Sequence, residues 1–165
     1  MRLEGKRVVF VGALESLPRR LAKKESERLG AAVHRGITRR TDIVVFGRHA
    51  TKRLSRERIE LLVTTADRVG ADTVSESMFQ ELVCSRSPEI KRGSFTSEQF
   101  LKQTSLDENS LRFLCLFDVL QPVSDTFEFR DIVAGKQFAS LISEGQSWFE
   151  IVDVALTRKE LAGQD

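Results

Sequence analysis

Val8-Val9-Phe10-Val11-Gly12 and, further on, Thr41-Asp42-Ile43-Val44-Val45-Phe46-Gly47 frame the stretch that decides the fold. Each contains a four-residue apolar run stopped by glycine, which is how a strand buried on both faces of a parallel sheet reads. Between them a charged, helix-compatible segment runs from Pro18 to Leu29 and is closed by Gly30. Ala31-Ala32-Val33 adds a shorter apolar piece. Strand, helix, strand, strand predicts a small α/β sandwich built on a parallel sheet.

Working outward, a helix is predicted from about Thr51 to Val69, apolar at Leu54, Ile59, Leu62 and Val63 and charged at Lys52, Arg53, Arg56 and Arg58. Gly70 fits its stop. Asp72-Thr73-Val74 is a short strand candidate, and Ser75 can cap a helix striped by Met78, Phe79, Leu82 and Val83. Residues 5–83 therefore read β-α-β-β-α-β-α, a central parallel four-stranded sheet with three helices. Ser85 to Ser94, with Pro88 and Gly93, has turn chemistry and no periodicity, so the expected division is 1–84, a linker at 85–94, and 95–165.

The second part changes to short capped helices. Thr96 with Gln99, Ser105 with Glu108, and Ser147 with Glu150 all match the capping-box spacing. Helices are expected at about Ser97–Gln103, Asp107–Phe117 and Arg130–Ser143, with a last one opening near Ser147. The third is expected to bury Ile132, Phe138, Leu141 and Ile142. Phe127-Glu128-Phe129 alternates as a minimal wing would, and Trp148 falls on an apolar stripe with Ile151, Val152 and Leu156, as a core residue does.

The net charge of +2 conceals an asymmetry: residues 1–94 carry 20 Lys/Arg against 12 Asp/Glu, and residues 95–165 carry 6 against 12. Opposite halves point to modules with different partners, or to modules that attract each other. No apolar run approaches the roughly 18 residues of a membrane span, and no secretory signal opens the chain, so the expected setting is the cytoplasm, with association with the nucleoid. Cys84 and Cys115 are then free thiols, Cys115 on an apolar helix face and inert. His34 and His49 are the only imidazoles, no Cys/His spacing resembles a metal site, and no nucleophile–base pairing is visible. No enzyme activity, cofactor, metal or small-molecule substrate is expected.

Residues 5–83 resemble a BRCT domain, most closely the kind that ends bacterial NAD-dependent DNA ligases. The resemblance rests on Gly5-Lys6-Arg7-Val8-Val9-Phe10, Gly12-Ala13-Leu14-Glu15, the Arg19-to-Leu29 helix with Gly30, and the Thr41-to-Gly47 element. Relatives that bind phosphopeptides have a hydroxyl residue before a glycine at the end of the first strand; here Val11 and Ala13 flank Gly12. That leaves Lys52 as the cation and the Gly12 and Ala13 amides as donors, short of one charge-assisted hydrogen bond worth about 1.5–3 kcal/mol. Residues 95–156 resemble the winged helix-turn-helix head of MerR-type regulators through Phe95-Thr96, Leu111-Arg112-Phe113, Leu120-Gln121-Pro122, Phe129-Arg130-Asp131-Ile132 and Gly145-Gln146-Ser147. The helix that would read DNA opens with Asp107, Glu108 and Asn109 and has only Arg112 as a cation, so the resemblance implies fold rather than DNA reading.

The expected function is that of a bacterial, non-catalytic, DNA-associated adaptor. Its first module would hold DNA backbone without sequence preference, or a protein partner, through Gly12, Arg19, Arg20, Lys23, Lys24, Arg48, Lys52 and Arg53. Arg39 and Arg40 belong to the same basic set, and Lys52 and Arg53 are expected at a helix start, where amides would also meet a phosphate. The acidic second module would contact protein. The alternatives are a MerR-type DNA-binding regulator and a pure protein-interaction module. The tail from Leu156 has no clear terminal element, which suggests the N-terminal part of a longer protein.

Overall fold

The computed structural model describes residues 1–84 and 94–162, and the chain divides into two units, Met1–Ser87 and Pro88–Asp165. Apart from Ser94, the expected linker at 85–94 lies outside the described residues.

The first unit runs β1 (Arg7–Val11), α1 (Arg19–Arg28), β2 (Ala32–His34), β3 (Ile43–Phe46), a 3-10 turn (Arg48–Lys52), α2 (Arg56–Val69), β4 (Asp72–Ser75) and α3 (Glu76–Cys84). The sheet order is β2-β1-β3-β4. All neighbours are parallel, with Val9 level with His34 and Val44, and Val45 level with Val74. From β1 the chain steps to one side through α1, and from β3 to the other side through α2. Right-handed crossovers in opposite directions put those helices on opposite faces. Val8, Phe10, Ile43, Val45 and Val74 form one core with Ala22 of α1 and Phe79 of α3, where Phe10 meets Phe79 edge to face at 5.0 Å. The alternate residues Val9, Val11, Val44 and Phe46 are buried too, as are Ile59, Val63 and Ala66 of α2, which supplies the second face.

The Thr41-Asp42 pair organises the entry to β3. Thr41 Oγ1 accepts from the Thr38 amide at 2.8 Å, closing a turn. Asp42 Oδ2 accepts from the Arg7 amide at 2.8 Å, pinning the start of β1.

One expected element boundary in this unit is corrected. The helix expected from Thr51 begins at Arg56, capped by Ser55, whose hydroxyl accepts from the Arg58 amide at 3.3 Å. The residues before it form the separate 3-10 turn, which ends where Arg53 N donates to Ala50 O at 3.1 Å. Leu54 lies between the two elements, and counting it with Ile59, Leu62 and Val63 merges them.

The second unit is mainly α: β5 (Phe95–Thr96), α4 (Ser97–Thr104), α5 (Glu108–Leu116), β6 (Thr126–Phe127), α6 (Phe129–Ser143) and α7 (Trp148–Ala162). β5 and β6 pair antiparallel, Phe95 opposite Phe127. The Thr96/Gln99 box forms, with Thr96 N donating to Gln99 Oε1 at 2.9 Å, and so does the Ser147/Glu150 box, with Ser147 N to Glu150 Oε2 at 2.7 Å. The Ser105/Glu108 box does not form. Ser105, at φ 59°, closes α4 in a left-handed turn, and Asp107 caps α5 instead by accepting from the Ser110 amide at 2.8 Å. The wing is also shorter than expected. The strand stops at Phe127, which is buried, and Phe129 opens α6 and lies 70% exposed. Of the residues expected to be buried in α6, Ile132 is, whereas Phe138, Leu141 and Ile142 are half-buried. α6 can approach α4 because residue 135 is glycine; a Cβ there would stand 2.5 Å from the Phe100 ring.

Trp148 is a core residue of this unit. Its ring stacks on Phe113 at 3.9 Å and 7°, and lies parallel to Phe117 at 5.9 Å. Burial, with Asp131 and Asp118 nearby, pushes the Cys115 thiol up to about 12, so it stays protonated and unreactive.

Candidate nucleic-acid interface

In the first unit the strand order reverses direction between β1 and β3. In open α/β sheets the crevice beyond the carboxyl ends of such strands is where ligands bind. The loops that leave β1 and β3 border it, and both carry residues of the expected set.

The two loops lock together backbone to backbone. A Cβ on Gly12 would lie 2.5 Å from Ala50 Cβ and 2.6 Å from Ala50 Cα; one on Gly47 would run into the Ala13 carbonyl oxygen. Gly47 N donates to Val11 O at 2.9 Å and His49 N to Ala13 O at 3.3 Å. Gly12 also sits at φ +75°, a conformation that glycine adopts without penalty. Its identity is thus explained by backbone shape and by Ala50, with no phosphate required.

What fills the crevice is a residue that sequence reading passed over. Glu76, the first residue of α3, is 1% exposed. Its Oε1 accepts from the Ser16 amide at 2.7 Å and from the Ser16 hydroxyl at 2.5 Å. Its Oε2 accepts from the amides of Glu15 and Arg48, both at 3.0 Å. Burial by itself would raise the carboxyl pKa. The Ser16 hydroxyl and the amides of Ser16, Arg48 and Glu15 together outweigh it and hold the group below its ordinary 4.5. A group whose folded pKa lies below its unfolded one stabilises the fold above the unfolded value and loses that stabilisation as pH falls through the folded value. The stability gap between wild type and Glu76→Gln in urea melts is therefore expected to be full near neutrality, to shrink as pH falls below 4.5, and to vanish in stronger acid. A gap that stays constant across that range would contradict the assignment.

The expected basic residues divide by environment. Arg48 is half-buried, and its guanidinium pairs with Glu15 at 2.8 Å. Arg19 turns back over the carboxyl end of β1, donating from Nη2 to Phe10 O at 3.1 Å. Lys23 faces Glu27 at 3.7 Å, an exposed pair of small energetic weight. Arg20, Lys24, Lys52 and Arg53 are exposed. Two expectations are corrected. Lys52 ends the 3-10 turn and Arg53 follows it, so neither stands at a helix N-terminus where amides would help hold a phosphate. Arg39 and Arg40 precede β3, and Arg7 Nη1 donates to Arg40 O at 3.2 Å, so that pair lies at the opposite edge of the sheet. What the fold leaves at the carboxyl edge is the first two turns of α1 and the end of the 3-10 turn.

Among the described residues no group of three or more His, Cys, Asp or Glu is placed to hold a metal ion. No described helix is long and apolar enough to cross a membrane.

No family model matches the chain. Over 79 residues it is 41% identical to the DNA ligase of Phenylobacterium zucineum, covering 48% of this chain and 10% of that one. It is 48% identical over 63 residues to the DNA ligase of Rhizobium meliloti, 38% of this chain and 9% of the ligase. With the DNA ligase of Acidiphilium cryptum it shares 38% identity over 80 residues, 48% of this chain and 10% of that protein. The chain thus spans about a tenth of the length of the ligases it matches. The likeness and the parallel four-stranded sheet are both compatible with a ligase-type BRCT-like domain. Nothing in these comparisons bears on the MerR-like reading of the second unit.

Proposed function

We propose that this chain is a non-catalytic, DNA-associated adaptor whose first unit, a BRCT-like module, holds the DNA backbone without sequence preference. The observation that carries the reading is the exposed cation set Arg20, Lys24, Lys52 and Arg53 at one edge of the sheet, in a half of the chain with 20 Lys/Arg against 12 Asp/Glu. The partial likeness to DNA ligases, 41% identity over 79 residues in one case, adds to it. The other expected residues support the face indirectly, Gly12 and Arg48 by shaping the loops, Arg19 and Lys23 by their place on α1. Each phosphate neutralised contributes about 0.9 to the slope of log affinity against log salt.

The double variant Arg20→Glu/Lys24→Glu is accordingly expected to bind duplex DNA about 10–100-fold more weakly at low salt and to flatten that slope by about 2. Arg39→Glu/Arg40→Glu, at the other edge of the sheet, is expected to change both much less. Absence of duplex binding by the wild type at micromolar protein and low salt would remove the DNA reading and leave a protein-interaction module.

The second unit is proposed as a MerR-like head used for protein contact. In α5, Ser110, Leu111, Phe113, Leu114 and Leu116 are buried in the unit's own core. The exposed side offers Glu108, Asn109 and Arg112, one cation beside an acid, which is poor chemistry for a phosphate array. Selection from random DNA sequences that returned a palindromic site would favour a MerR-type regulator instead.

A further inference from the structure

The donors that hold Glu76 come from two separate loops, Glu15 and Ser16 after β1 and Arg48 after β3. Backbone N–H groups that converge from loops at the carboxyl ends of adjacent parallel strands are how such sheets receive an external oxyanion. We propose that this crevice is an oxyanion site that the chain closes with its own Glu76 carboxylate, so that no external phosphate or carboxylate enters it in the native protein. Two bonds to Oε1 and two to Oε2 occupy the four lone-pair sites that a carboxylate has to offer. With three amides and one hydroxyl converging on it, the donor set is matched to an anion and gives a neutral ligand little to donate to. The proposal does not rest on DNA binding: the exposed cations of α1 and of the segment after the 3-10 turn lie outside the crevice, and a nucleic-acid backbone would meet those.

Removing the carboxylate reopens the site to small oxyanions. The full chain carrying Glu76→Ala is melted in sodium chloride, formate, acetate and phosphate at equal ionic strength, followed by far-UV circular dichroism. By mass action, formate and acetate are expected to raise its midpoint about 5 °C above that in chloride, with phosphate also stabilising. The wild type, whose site is full, is expected to show no such excess. Identical midpoints for the variant in all four salts would overturn the proposal, as would a wild type that shifts as much as the variant. A Glu76→Ala chain that is unfolded in chloride and stays unfolded in acetate would overturn it too. Glu76→Asp, which keeps a carboxylate one methylene short, is the second variant. A smaller acetate shift than for Glu76→Ala supports a site still largely occupied from within, and an equal shift counts against it.

Discussion

Replacing Gly12 with valine is expected to cost the first unit about 2–5 kcal/mol, from a left-handed backbone penalty of about 1–2 and overpacking of about 1–3. Both terms have a visible source. Residue 12 sits at φ +75°, where a β-branched side chain is at its worst. The new Cβ would meet Ala50 Cβ at 2.5 Å and its backbone Cα at 2.6 Å. Ala50 is fully buried and tied back to Gly47 O at 2.9 Å, so it has nowhere to go. Domains hold about 5–15 kcal/mol in all, so the loss takes a large share of it. Gly5 separates the two terms, because it has φ +70° and a Cβ added to it would find nothing within 4 Å. Gly5→Val is expected to show the backbone penalty alone, about 1–2 kcal/mol. Urea melts that gave equal losses for Gly5→Val and Gly12→Val would mean that the Ala50 contact carries no weight.

The second large effect is in the other unit. Trp148→Ala removes the ring stacked on Phe113 at 3.9 Å and set parallel to Phe117 at 5.9 Å, at a site 2% exposed. Large-to-small changes of this kind cost about 3–5 kcal/mol, because the transfer energy is lost and the walls collapse only in part. The walls here belong to α5, which is buried along Ser110, Leu111, Phe113, Leu114 and Leu116, so the cavity opens beside the most enclosed helix of the unit. Trp148→Phe keeps a ring and most of the volume, and it is expected to lose less than half as much. Chemical denaturation that placed Trp148→Ala within about 1 kcal/mol of wild type would show that the site repacks freely.

Sequence reading reached most of the first fold because its signals are local. Val8-Val9-Phe10-Val11 and Ile43-Val44-Val45-Phe46 are buried on both faces, and an uninterrupted apolar run is what that requires. β2, three residues at the sheet edge with Ala32 and His34 exposed, was legible only through its position after Gly30. The start of α2 was missed because Leu54, which lies between the 3-10 turn and the helix, was counted on the helix's apolar face; Ser55, which makes the cap, was the available clue. In the second unit, Asp107 competed with Ser105 for one cap, and the left-handed turn that decided between them has no side-chain signature.

The site was less legible, for a different reason. The bonds to Glu76 span 60 and 61 residues to the loop after β1 and 28 to Arg48, so no local pattern contains them. An acid opening a helix reads as ordinary macrodipole chemistry. The basic residues were easy to find and hard to place. Arg39 and Arg40 read as one set with Arg48, and only the crossover from β2 to β3 puts them at the other edge.

The burial of Trp148 also decides how this molecule can be watched. It is the single tryptophan of a chain without tyrosine, so near-ultraviolet absorption and emission above the phenylalanine band come from the second unit alone. The first unit, whose aromatic groups are phenylalanines, is silent in those channels. Fluorescence therefore follows the second unit and far-ultraviolet circular dichroism follows both, so two units that melt separately give transitions that do not coincide.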